Sequence, residues 1–120
     1  MRLATEVHTM SKHTPGPWHV QDDHGKRWIE TSGNDDTIAE IHRRASKGGV
    51  YSCKEASANA QLIAAAPELL ADLEEAAKTL RRYEILHWAK ETNESDAKAK
   101  VNGDLAARFE RTIDKARGKP

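Results

Sequence analysis

Ala58-Asn59-Ala60-Gln61-Leu62-Ile63-Ala64-Ala65-Ala66-Pro67-Glu68-Leu69-Leu70 decides how this chain is built. Alanine is the best helix former, so the run up to Ala66 reads as a helix starting near Cys53 or Lys54. Pro67 disfavours helical geometry in the residue before it, which predicts a break or kink at Ala66. Proline is also a good first helical residue, and Glu68 in the first turn suits the positive helix end. The same stretch therefore ends one helix and starts another. It divides the chain into a β-rich front and an all-helical back.

In front of it, residues 1–14 show no sustained periodicity and are expected to fray; Met10 offers a second, internal start. Thr14-Pro15-Gly16-Pro17 imposes an extended, turn-like approach. Trp18-His19-Val20 alternates as a strand does, Asp22-Asp23-His24-Gly25 is a turn, and Lys26 to Thr31 is a second strand. Ser32-Gly33-Asn34-Asp35-Asp36 turns the chain again into a third strand, Thr37 to His42. A meander this small needs cover, and the helices behind it are the available cover. Arg43 to Ser52 reads as a connecting loop with Gly48-Gly49 as its flexible point.

Behind it, the long second helix is expected from Pro67 to about Glu91. Leu69, Leu73, Ala76, Leu80, Tyr83 and His87 repeat four-three-four-three-four along it, the seam of a helical hairpin or coiled coil. Thr92-Asn93-Glu94-Ser95 is the turn, with Ser95 as the expected N-cap. A third helix to about Arg117 carries Val101, Leu105, Phe109 and Ile113 at four-residue intervals, and Gly103 is expected to loosen its first turns. The fold class is thus α+β: a small three-stranded antiparallel meander packed on helices, then a long C-terminal helical hairpin. Residues 15–120 form one domain, with 15–52 the meander and loop and 53–120 the helical part.

Only 38% of the residues are apolar and 32% are charged, a thin core for 120 residues. Narrow helical seams complete their burial against a second copy, so a homo-oligomer is expected through Leu69, Leu73, Leu80, Tyr83, His87, Leu105, Phe109 and Ile113. Lysine plus arginine equals aspartate plus glutamate at 19 each, which disfavours a dedicated duplex-DNA binder. The single cysteine, Cys53, cannot form an intrachain disulfide. No run is long and apolar enough to span a bilayer, and the first residues lack a signal peptide's apolar block. The expected setting is the cytoplasm.

Three groups of residues invite a chemical reading. His19, Asp22, Asp23 and His24 match no zinc spacing and read as a polar hairpin turn, so no metal is expected. Arg43, Arg44 and Lys47 beside Gly48-Gly49 have the charge to hold a phosphate, but no Walker pattern is present, and a solvated loop is the simpler reading. Arg81, Arg82 and Trp88, with Arg108 and Arg111 if the helices pack antiparallel, would suit a planar anion such as a nucleotide. The simpler reading makes Tyr83, His87 and Trp88 packing residues with arginines at their rim. Ser52 and Cys53 lie in no nucleophile-elbow context, and Glu74 and Glu75 read as solvating charges. No catalytic residue and no cofactor is expected.

The segments His13-Thr14-Pro15-Gly16-Pro17-Trp18-His19-Val20, Ile38-Ala39-Glu40-Ile41 and Ala58 to Leu70 together resemble a group of small bacteriophage and prophage proteins, mostly of unknown function. The resemblance covers about residues 10–76, and residues 77–120 read as departing from it. It implies a viral accessory protein in the host bacterial cytoplasm. By analogy the expected function is non-enzymatic counter-defence, through stoichiometric binding of a CRISPR effector or another host defence protein. The alternatives are a sponge for a cyclic or other nucleotide immune signal and a small nucleic-acid-binding regulator, both using the arginines above.

Overall fold

The structure, a computed structural model, describes residues 12–42 and 53–119. The element order is β1 (Trp18–Asp23), β2 (Lys26–Thr31), β3 (Thr37–Ile41), α1 (Cys53–Ala64), α2 (Ala66–Ala89) and α3 (Asn93–Ala116). The class is α+β, as the sequence predicts. The chain forms two compact units, with the boundary between Glu68 and Leu69. The expected fraying of residues 1–14 falls largely outside the described residues.

The first unit is an open antiparallel sheet in the order β1-β2-β3, with α1 packed against all three strands. β1 runs further than predicted, because the turn needs only His24 and Gly25. Both have positive φ, 52° and 80°, the backbone of a two-residue hairpin turn that matches strand twist. Asp22 and Asp23 consequently stay in the ladder, opposite Arg27 and Lys26. The second turn closes on Thr31, whose N–H donates to the Asp36 carbonyl at 2.9 Å and whose hydroxyl accepts from the Asp36 N–H at 3.1 Å. The β2–β3 register shifts between Ile29 and Glu30.

Ile29 has 0% exposure at the centre of this unit, with Ala60 and Ala64 of α1 over it. Trp18, Val20, Ile38, Ile41 and Ile63 close around them. The helix face on the sheet is therefore alanine, at Ala56, Ala60 and Ala64, while Leu62 is 64% exposed. Small residues let the helix sit close, so the strands supply the bulk that the helix lacks. The helix interruption falls at Ala65, one residue before its expected place. Gly16 packs on Pro67 so closely that a Cβ placed on it would lie 2.8 Å from Pro67 Cβ. The proline-glycine segment and the alanine-proline segment thus meet in space.

The second unit is an antiparallel hairpin of α2 from Leu69 onward and α3. Thr92, not Ser95, caps α3: its hydroxyl accepts from the Ser95 N–H at 3.1 Å. Gly118, at φ 75°, ends the helix with its N–H on the Lys115 carbonyl, and Lys119 N–H reaches the Asp114 carbonyl at 2.8 Å. The buried residues of α3 are Ser95, Ala99, Gly103, Ala106 and Ile113. The predicted line Val101, Leu105, Phe109, Ile113 is corrected for a geometric reason. Four residues turn a helix through about 400°, so a strict four-residue line drifts about 40° per step. Val101 begins it 65% exposed, Leu105 and Phe109 are half-buried, and only Ile113 reaches the buried face.

On α2 the expected seam shifts as well. Leu73, Ala76, Leu80 and His87 are half-buried and Ala77 is buried, but Leu69 and Tyr83 are 52% and 50% exposed. Glu84 takes the place assigned to Tyr83. Its carboxylate lies where a side chain on Gly103 would stand. Gly103 does not loosen α3; it opens a seat for Glu84.

Candidate functional site

Strand alternation sorts the first unit into two faces. Because Trp18, Val20 and Ile29 turn toward α1, His19, Trp28 and Glu30 project from the opposite face of the sheet. His19 and Glu30 are direct cross-strand partners, a consequence of the two-residue turn. Glu30 is buried at 7% exposure, yet its carboxylate is fully engaged. Trp28 Nε1 donates to Oε2 at 2.7 Å, and His19 Nε2 lies 3.0 Å from Oε1. The other His19 nitrogen, Nδ1, lies 3.0 Å from Ser32 Oγ in the second turn. Asp35, exposed and at φ 57° in that turn, completes the group. Ligand atoms of His19, Glu30 and Asp35 all lie within 4.8 Å of one another.

This is a different set from the one the sequence suggests. Asp22 pairs with Arg27 at 3.1 Å, and Asp23 with His24 at 2.5 Å, so those carboxylates are spent on local pairs. Glu30, Asp35, Trp28 and Ser32 do not join His19 in any site read from the sequence, because they lie 9 to 16 positions from it. One signal was available: a His24-Gly25 turn, read as two residues long, sets His19 opposite Glu30. A neighbouring recess of about 300 Å³ is lined by Lys26, Arg27, Trp28, Glu40 and His42, a mixed set of charges.

The arginine cluster of the second unit has a structural occupation. Arg81 donates from Nε and Nη2 to the two Glu110 oxygens at 3.0 and 2.6 Å, and from Nη1 to Glu84 at 2.9 Å. The hydrogen bond from Arg81 holds the Glu110 carboxyl below its ordinary 4.5, with the guanidinium charge adding to the effect and burial opposing it. Glu84 and Glu110 in turn hold Arg81 still more firmly protonated. Arg117 and Glu74 form a second pair between the helices, so Glu74 is no mere solvating charge. Arg81 is thus the centre of an interhelical clamp. Arg108 stands 5.7 Å from the ring centroid of its neighbour Phe109. Arg82 and Arg111 are exposed. Arg43, Arg44 and Lys47 lie outside the described residues.

Among the charged side chains of the hairpin surface stand several large apolar ones. Tyr83, Ile85, Leu86 and Trp88 are 48–67% exposed within the last turns of α2, and Val101 is 65% exposed on α3. Glu84 against Gly103 places all five toward the end of the hairpin where the helices connect. Arg82 stands among them, three residues before Ile85 and four before Leu86.

Fold and surface together define a small α+β protein with a polar cluster on its sheet and an apolar hairpin end. The chain belongs to the family of Salmonella phage P22 protein Y8K6, whose model matches residues 5–120, and is thereby a phage-encoded protein. The match corrects the view that residues 77–120 depart from the shared part: the hairpin is matched along with the sheet. No curated protein matches the chain, and no solved structure does. Among the described residues, no helix is long and apolar enough to cross a membrane.

Proposed function

We propose that this phage protein is a non-enzymatic binder that acts stoichiometrically on a protein of the infected bacterium, as counter-defence against a CRISPR effector or another defence protein. The observation that carries the reading is the connecting end of the hairpin. Large apolar side chains left exposed within one short stretch of helix point to an interaction surface, and Trp, Tyr and Arg are the side chains that most often anchor such surfaces. Trp88, Tyr83 and Arg82 are of those types and sit beside Ile85 and Leu86. Membership of a phage family is consistent with this reading, in which the setting is the host cytoplasm and the partner a bacterial protein. A second copy of the chain is the competing occupant of the same surface. The nucleotide-sponge reading draws less support, since its central cation, Arg81, has its donors on Glu84 and Glu110.

The test is affinity purification of the full chain from infected cells, with mass spectrometry of proteins and small molecules. The reading expects one host protein at a fixed molar ratio, lost in an Ile85→Asp/Leu86→Asp variant that melts like the parent. A nucleotide released unchanged on heating would support the sponge instead. Nucleic-acid binding that falls steeply with salt would support the regulator. Recovery of only a homodimer by light scattering would assign the surface to self-association.

A further inference from the structure

The polar cluster on the sheet has an arrangement that asks for a positive charge. Two carboxylates and an imidazole place their ligand atoms within 4.8 Å of one another. One of the carboxylates belongs to Glu30, a buried residue whose side chain is 10% exposed. Among the described residues, no lysine or arginine pairs with either Glu30 or Asp35, the nearest guanidinium in sequence, Arg27, being engaged by Asp22. We propose that His19, Glu30 and Asp35 form a binding site for a divalent transition-metal ion of the Zn²⁺ class.

The outer atoms of the ligands are already held. Trp28 Nε1 fixes Glu30 Oε2, which leaves Oε1 turned to His19. Ser32 Oγ takes the Nδ1 side of His19, which leaves Nε2 turned to Glu30. With the proton on Nδ1, donated to Ser32 Oγ, the Nε2 lone pair and the Oε1 lone pair face each other at 3.0 Å. Two acceptors at that distance need a cation between or beside them: a proton or a metal. Two ligands on one tetrahedral Zn²⁺, each about 2.1 Å from it, stand about 3.4 Å apart, so this pair opens by a few tenths of an ångström to seat the ion. Holding ligands by their outer atoms is how metal sites fix tautomer and ring orientation. Asp35 is exposed on a short turn, with room to swing its carboxylate in as the third ligand. His19 keeps a side-chain exposure of 38%, which gives the ion a way in. Imidazole nitrogen with carboxylate oxygen favours a borderline ion such as Zn²⁺, and three protein ligands leave a coordination position for water.

The experiment uses the full chain, stripped with a chelator, titrated with Zn²⁺ by calorimetry and with Co²⁺ by visible absorption. One ion per chain is expected. Asp35→Asn, on an exposed turn, weakens binding by about tenfold or more and leaves the melting temperature of the metal-free protein unchanged. Glu30→Gln abolishes binding, and Ser32→Ala, through the ring orientation, weakens it by about tenfold to a hundredfold. His24→Asn changes nothing. If Glu30→Gln fails to fold, the Asp35→Asn titration and the Zn²⁺-induced shift of the His19 Nε2 resonance in the unaltered chain decide. No saturable uptake, or uptake that Asp35→Asn leaves intact, overturns the site.

Discussion

The two units solve the same problem, a thin supply of large apolar residues, in opposite ways. In the sheet unit the bulk points inward: Ile29 is sealed at 0% exposure under Ala60 and Ala64, with Trp18, Val20, Ile38 and Ile41 around it. In the hairpin the fully buried positions are mostly small, Ala77, Ala99, Gly103 and Ala106 beside Ile113, and large side chains at its connecting end point out. Glu84 seated against Gly103 and two interhelical ion pairs, Arg81–Glu110 and Arg117–Glu74, help hold the helices together. A unit that hides its large residues is built for its own stability. One that displays them is built for contact, and that difference is what supports a binding reading of the hairpin.

The comparison breaks first at Ile29. Ile29→Ala removes the one large side chain that is fully buried among the described residues and is expected to cost about 2–5 kcal/mol, read by denaturant unfolding. Gly16→Ala comes next: the proline ring at Pro67 is stiff, so the overlap costs about 1–3 kcal/mol by the same measurement. A neutral result there would contradict the close meeting of the two segments.

In the hairpin the effects are smaller because its clamp is half in solvent. Arg81→Ala is expected to lower stability by about 1 kcal/mol or less, since water and salt screen a pair this exposed. The Glu110 carboxyl is held below its ordinary 4.5, so the folded state binds its proton less readily than the unfolded state does. Its contribution is full above about pH 4.5 and is lost as pH falls through the lower folded value. Acid titration of hairpin stability should therefore be shallower in Glu110→Gln. Smallest of all is Gly103→Ala. It displaces the flexible end of Glu84 but gains about 1 kcal/mol of helix propensity, for a net change near zero in thermal melting.

Much of this architecture was legible. The bounds of β2 follow from its flanking turns, and the start of β3 from the Gly-Asn-Asp cluster before it. The α1–α2 interruption follows from Pro67. What was not legible depends on pairing rather than on local composition. Asp22 and Asp23 look like turn residues until Arg27 and Lys26 stand opposite them. Ser95 looks like a cap until Thr92, three residues earlier, proves to hold its N–H. Glu84 looks like a surface acid until Gly103 gives it a seat. The polar cluster was hidden for the same reason, since only the register of β1 on β2 brings His19 to Glu30.

Site-specific photo-crosslinking in infected cells asks whether the hairpin end meets a bacterial protein, with a photoreactive residue at Ile85 and, for comparison, at the exposed Asp72 on the same helix. The account predicts one discrete adduct with a bacterial protein, at one-to-one mass, from position 85 and none from position 72. An adduct only with a second copy of the chain, or equal labelling from both positions, would contradict it.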